Sequence, residues 1–134
     1  MGSLHALALA WLGQHQPERA GRLFLRALST ALAIHHGGAT AESLDGLAVV
    51  TSREGRWLDA ARVLAAAEEL RTATGIHRSE LISELIVEVE TSLSRELESD
   101  ALLLSRAEGA SLDVHSLVSE LRQRFSRPPG ESEG

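Results

Sequence analysis

The chain has 134 residues and a formal net charge of −6, and this length suffices for one domain with its own hydrophobic core. It has no cysteine and no lysine, which excludes disulfides, thiolate metal sites and the lysine-dependent phosphate loop of the GxxxxGK(S/T) type. Its acidic charge and its few, scattered aromatic residues argue against direct contact with nucleic acid.

The apolar residues are mostly alanine and leucine, which favours helix over strand and predicts an all-α fold. No apolar run approaches the ~20 residues that a membrane span requires, and no secretory signal is visible. We therefore expect a cytoplasmic protein with no membrane contact.

The first part of the chain predicts a hairpin of two helices, over residues 4–13 and 17–35. Proline suits the first position of a helix, so Pro17 marks the start of the second one. A connection this short makes the two helices antiparallel neighbours. The second helix also carries a basic stripe, which either faces solvent or contacts an acidic partner: Arg19, Arg22 and Arg26.

Residues 44–70 have the same organisation as the first hairpin. A third helix is expected between a cap at Thr40 and a stop at Gly55. A fourth is expected over residues 57–74, with Gly75 as its stop. Small and apolar residues of the two hairpins correspond at an offset of about forty residues, as in helical-repeat proteins. The corresponding pairs are Leu7 and Leu47, Ala8 and Ala48, Ala20 and Ala60, Phe24 and Leu64, and Ala27 and Ala67.

This pattern resembles the tetratricopeptide repeat, in which a small residue follows the first leucine and an aromatic residue comes three positions later. Alanine, an aromatic residue and alanine then mark the second helix of the family's hairpin. The second hairpin departs from this pattern at Thr51, where the first aromatic residue is expected, whereas the first hairpin matches with Ala8, Trp11, Ala20, Phe24 and Ala27. The resemblance implies antiparallel helical hairpins stacked as a tetratricopeptide-like right-handed array of about seven helices.

In the tetratricopeptide family, partners usually lie against the concave surface that the first helix of each hairpin forms. The resemblance therefore implies a partner-binding surface in this chain. Its members are His5, Leu9 and Leu12 from the first hairpin and Glu42, Asp45, Val49 and Arg53 from the second. Each of these positions can also be interpreted as an ordinary surface or packing residue.

Three further helices are expected in the C-terminal part. Ser79 is predicted to cap a fifth helix with a wide apolar face. A sixth helix over residues 96–108 is predicted to end at Gly109. The seventh helix takes Ser111 as its cap and ends before Pro128.

One edge of the fifth helix is acidic, with Glu80, Glu84 and Glu88 at helical spacing. Neighbouring carboxylates repel one another, so a solvated face is the simplest interpretation of this row. The alternative is a docking strip for a basic partner, such as the arginine stripe of another copy. Beyond the seventh helix we expect a disordered tail over residues 128–134, which leaves a single domain over residues 1–127.

Residues 44–122 further resemble the C-terminal helical region of large bacterial signal-transducing ATPases, which are often fused to LuxR-type, winged-helix or cyclase modules. The resemblance is carried by the segments SLDGLA, DAARVL, AAAEELRTATG and EGASLDVHSLV, the last of which is similar to the family's closing Gly-x-x-Leu-(Ser or Thr)-x-x-x-Ala-Val pattern. The chain has no phosphate loop and no helix-turn-helix segment after Val118, so ATP hydrolysis and DNA reading cannot be assigned to these residues. The resemblance implies the helical-repeat part of a larger transcriptional regulator or signalling ATPase.

The sequence shows no arrangement of residues that predicts catalysis. No histidine pair has the spacing of a helical zinc site, and no GxSxG nucleophile turn occurs. We therefore expect no catalytic, cofactor-binding or metal-binding residues, and predict a non-catalytic protein-interaction or regulatory module. Its partner would be another protein, other domains of the same longer chain, or a second copy in a homodimer. Two alternatives stay open: a stand-alone self-associating helical scaffold, and a small helical enzyme or metal binder.

Overall fold

A computed structural model of the chain describes residues 2–125, which form seven helices and no strand. The helices are α1 (Gly2–Gly13), α2 (Pro17–Ala33), α3 (Gly37–Arg53), α4 (Trp57–Thr74), α5 (Glu80–Glu96), α6 (Ser99–Ser111) and α7 (Val114–Phe125). The all-α prediction is confirmed for this part of the chain. The tail predicted over residues 128–134 lies outside the described residues.

The three connections between the first four helices have the same backbone geometry. A residue with positive φ follows each helix, at 59° for His15, 56° for His35 and 77° for Gly55. In each turn the next residue donates its N–H to a carbonyl five residues earlier, which closes the preceding helix in a Schellman-type turn. These bonds join Gln16 to Trp11 (2.9 Å), His36 to Ala31 (2.8 Å) and Arg56 to Thr51 (3.1 Å). Turns this short place consecutive helices side by side and antiparallel.

The packing order changes after α4. Helices α1, α2 and α3 each pack against the next helix in the chain, whereas α4 contacts α5 only slightly. Helix α5 instead packs beside α3, α6 beside α4, and α7 beside α2. Although α5 and α6 are consecutive, they contact each other only slightly. The C-terminal helices are therefore positioned by partners that are distant in sequence.

Helix α3 is the central helix of the molecule. Every residue between positions 39 and 52 except Glu42 is buried. Gly46 lets α2 approach closely, because a Cβ at this position would overlap the ring of Phe24, which is itself fully buried. Such close approach maximises van der Waals contact between the two helices.

The third helix begins earlier than predicted. It starts at Gly37, and its cap is His36, whose imidazole Nδ1 accepts the N–H of Ala39 at 3.0 Å. Thr40, the predicted cap, lies inside the helix and donates its hydroxyl to the carbonyl of His36 at 2.8 Å. The glycine pair Gly37–Gly38 suggests a break when only the sequence is considered, but a capped first turn tolerates it.

The predicted bounds of the fourth helix and the predicted start of the fifth are confirmed. The predicted start of the sixth helix at residue 96 is wrong, because Glu96 is the last residue of α5 and α6 begins at Ser99. Helix α4 covers Trp57–Thr74 and ends at Gly75, which has the left-handed conformation with φ of 71°. Ser79 caps α5, and its side chain accepts the N–H of Ile82. Both signals are local ones, made by residues within four positions of the helix end.

The predicted junction between the sixth and seventh helices is wrong. Gly109 does not end α6 but lies inside it, buried against the backbone of Arg62 in α4. Ser111 is the last residue of α6, and the cap of α7 is Asp113, whose carboxylate accepts the N–H of Ser116 at 3.1 Å. Gly109 is therefore required for a close helix contact and not for a helix stop.

None of the helices in residues 2–125 is long and apolar enough to cross a membrane.

Candidate interaction groove

An open groove lies between the C-terminal end of α3, the start of α4 and the middle of α5. We call it the α3–α5 groove, and its volume is about 630 Å³. Its apolar lining comes from Val49, Trp57, Leu85, Val87 and Val89, and its polar lining from Ser52, Arg53, Glu88, Thr91, Ser92 and Arg95. The groove therefore combines an apolar surface with charged groups.

Charge is placed unevenly around the α3–α5 groove. Arg53 ends α3, where the helix dipole favours a cation, and its guanidinium lies 3.7 Å from the carboxylate of Glu88. Both groups reach solvent, with 35% and 71% of their side-chain surfaces exposed, so this ion pair contributes little to stability. Arg95 is 64% exposed and pairs with its chain neighbour Glu96 at 3.2 Å. Two arginines with weak partners are thus available to an incoming acidic group.

The structure separates the seven predicted partner-binding residues into two groups. Side chains that are buried in the packing belong to His5, Leu12, Asp45 and Val49, with 8%, 3%, 0% and 1% of their surface exposed. Leu9 and Glu42 are partly exposed and Arg53 is exposed. Of the seven, Val49 and Arg53 line the α3–α5 groove. Leu9, Glu42 and Arg53 are thus the predicted residues that a partner can reach, and a binding surface at these positions stays a prediction.

Asp45 connects three parts of the chain. Its carboxylate accepts two bonds from Arg78, at 3.2 and 3.3 Å, and a further bond from Arg71 at the end of α4. The Asp45 side chain is fully buried, while those of Arg71 and Arg78 are 11% and 20% exposed. Such a charge is tolerated away from water only when it is paired in this way. Asp45 therefore joins α3 to α4 and to the connection before α5.

His5 joins α1 to α3. Its Nε2 lies 2.9 Å from the Ser43 hydroxyl, which itself donates to the carbonyl of Ala39 at 2.8 Å. The hydroxyl proton is thus already used, so His5 donates through Nε2–H and its Nδ1 faces Glu42 at 3.6 Å. Burial lowers the pKa of His5 below its ordinary value of 6.5, against the opposing effect of Glu42. Glu42, His5 and Ser43 thus lie in a row, but Ser43 is completely buried. An external substrate cannot reach its hydroxyl, so the three residues cannot act as a nucleophilic site.

The residues that complete the α3–α5 groove were not predicted as site residues. Trp57 and Arg95 carry no pattern that distinguishes them from other helix residues. Leu85 could have been recognised, because it belongs to an apolar face of α5 that is wider than the part buried by packing. The buried residues of α5 are Ile82, Ile86, Val89 and Leu93, and Leu85 lines the groove beside them. The groove could therefore have been predicted from α5, whose apolar face is too wide for one packing partner to cover.

Comparison with models of known protein families, with curated proteins and with solved structures gives no match for the chain. Within the described residues, no three His, Asp or Glu side chains converge where they could hold a metal ion. The site therefore has to be interpreted from its own geometry.

Proposed function

We propose that this chain is a non-catalytic protein-interaction and regulatory module built as a tetratricopeptide-like array, in which the α3–α5 groove binds a segment of a partner protein. The observation that carries the proposal is the apolar lining of the groove between Arg53 and Arg95. The array is supported by the equivalent turns at His15, His35 and Gly55. Four of the five corresponding pairs are buried in both hairpins: Ala8 and Ala48, Ala20 and Ala60, Phe24 and Leu64, and Ala27 and Ala67. In the fifth pair Leu47 is buried and Leu7 is exposed.

The groove favours a partner segment with one apolar side chain flanked by acidic residues. The apolar side chain packs against Trp57 and Leu85, which are partly exposed and so gain by being covered. An acidic residue of the partner then replaces Glu88 beside Arg53 or pairs with Arg95. Because the groove is short, we expect weak binding of isolated peptides and stronger binding when the segment belongs to a neighbouring domain.

The resemblance of residues 44–122 to the helical region of bacterial signal-transducing ATPases supports a place in a larger regulator. On this proposal, nucleotide hydrolysis and DNA reading belong to other domains, and this module contacts those domains or a protein partner. The cytoplasm is the compartment in which such a regulator works. The alternative, a stand-alone self-associating scaffold, is supported by exposed apolar side chains on α5 and α6, among them Val87, Leu103 and Leu104.

A displayed random-peptide library selected on the whole chain tests the groove. We expect enriched peptides to share an apolar residue with neighbouring Asp or Glu, and to bind the Arg95→Glu variant about tenfold more weakly in fluorescence polarisation, since one charge contact becomes repulsive. Arg106→Glu is the matched control, because it makes the same change on α6 outside the groove. Peptides that bind Arg95→Glu as tightly as the unchanged chain would show that the groove is not the site, and so would a selection that enriches no peptide.

A further inference from the structure

The helices at the two ends of the molecule expose side chains of opposite charge. Helices α1 and α2 occupy one end, with α2 packed on both α3 and α7. Helices α5 and α6 occupy the other end, packed on α3 and α4. We define the N-terminal end face by Leu7, Arg19 and Arg26, and the C-terminal end face by Glu80, Glu84, Val87, Leu103 and Leu104. All of these residues are exposed.

The C-terminal end face is apolar and acidic. Val87, Leu103 and Leu104 expose 60%, 65% and 62% of their surface, more than any other large apolar side chain that the structure describes. Other acids of α5 are engaged within the chain, since Glu88 lies near Arg53 and Glu90 near Arg106. Glu80 and Glu84 have no ion-pair partner among residues 2–125. They are thus free to meet a cation from outside.

The N-terminal end face is apolar and basic. Leu7 is 48% exposed, and Arg19 lies over the ring of Trp11 with its guanidinium carbon 4.7 Å from the ring centroid. Arg22, between the other two arginines of α2, points elsewhere, because it pairs with Glu18 and donates to the carbonyl of Phe125. Arg19 and Arg26 have no carboxylate partner in the described part of the chain. This face therefore presents two cations beside an apolar residue.

We infer that the occupant of each end face is a second copy of this chain, docked head to tail with its N-terminal end face on the C-terminal end face of its neighbour. Charge selects this arrangement, since either face would repel its own copy and attract the other. Covering Val87, Leu103 and Leu104 supplies the apolar part of the contact. Val87 belongs to both the C-terminal end face and the α3–α5 groove, so a docked copy would cover one edge of that groove. Arg26 and Glu84 do not line the groove, so substitutions at these two positions test the contact between copies separately from peptide binding.

Charge reversal tests the arrangement, with sedimentation equilibrium of the full chain as the measurement. The unchanged chain should increase in mass with concentration, and Arg26→Glu and Glu84→Arg should each weaken association by about tenfold or more, because each places like charges at the contact. Mixing the two variants should restore association, since the new glutamate on one chain meets the new arginine on the other. The double variant Arg26→Glu/Glu84→Arg should also associate by itself.

Controls separate this contact from a general effect of net charge. Arg56→Glu and Glu69→Arg make the same charge changes at exposed positions away from both end faces, and they should associate like the unchanged chain. Leu103→Asp should weaken association without lowering the unfolding midpoint, because Leu103 is exposed. A chain that stays monomeric at all concentrations overturns the inference, and so does a mixture of Arg26→Glu and Glu84→Arg that associates no better than either variant alone.

Discussion

The N-terminal helices α1 to α4 and the C-terminal helices α5 to α7 are built on different principles. In the first group consecutive helices pack on one another, and the same short turn joins each pair. In the second group each helix packs on a partner far back in the chain, and charged residues connect the elements. Arg62 of α4 is the clearest example, because it lies 3.4 Å from Glu108 of α6 and 3.2 Å from Glu120 of α7.

This difference decides which contacts are most costly to lose. In α1 to α4, apolar burial and local turns determine the arrangement, and one altered turn leaves the others intact. In α5 to α7, a few long-range contacts position whole helices, so a single substitution can release an element. Three substitutions test this comparison, and their expected effects decrease in the order Asp45→Asn, Gly109→Ala and His35→Gly.

Asp45→Asn should have the largest effect. It removes the buried charge between Arg71 and Arg78, which leaves Arg71 without its anion and Arg78 with only Glu68 at 3.9 Å, and should lower the free energy of unfolding by about 3 kcal/mol. Urea denaturation followed by circular dichroism measures the change. Glu42→Gln is the matched control on the same helix, where we expect less than about 0.5 kcal/mol because the side chain is partly exposed. If Asp45→Asn and Glu42→Gln lower the free energy of unfolding equally, Asp45 does not hold α3 to α4 and to the connection before α5.

Gly109→Ala should have the second largest effect, and it addresses the contact of α6 with α4. The added Cβ would overlap the backbone carbonyl of Arg62, which cannot rotate away, so α6 must shift. The overpacking lowers the free energy of unfolding, and the better helix propensity of alanine offsets part of this effect. The expected net loss is about 2 kcal/mol. Gly13→Ala is the control in α1, since a Cβ there meets nothing within 4 Å. If urea denaturation finds Gly109→Ala as stable as Gly13→Ala, the close α4–α6 contact does not exist.

His35→Gly should have the smallest effect and the opposite sign. His35 has φ of 56°, where a side chain costs about 1 kcal/mol, so glycine should raise the free energy of unfolding by about that amount. Gly55→Ala is the reciprocal change in the equivalent turn and should lower stability by a similar amount. Thermal unfolding of both variants measures the pair. Changes of the same sign would contradict the equivalence of the two turns.

Prediction from the sequence succeeded where the signal and its partner are close in the chain. Gly75 and Ser79 mark helix ends through bonds made within a few residues, and Pro17 marks a helix start through its fixed φ. The structure has all three ends at the predicted positions. The spacing of alanine and leucine likewise predicted the all-α class, because burial of one helix face depends on periodicity alone.

Tertiary structure decided the rest. Asp45 reads as a surface residue until Arg71 and Arg78, 26 and 33 positions away, are placed beside it. Gly109 reads as a helix stop until the backbone of Arg62 lies against it. The α3–α5 groove exists only because α5 packs on α3, which no local pattern specifies. Amino-acid sequence by itself determined which segments are helical and which faces are apolar, since those properties depend on neighbours along the chain. The choice of which helices meet, and therefore of which residues are exposed, depended on contacts between distant segments.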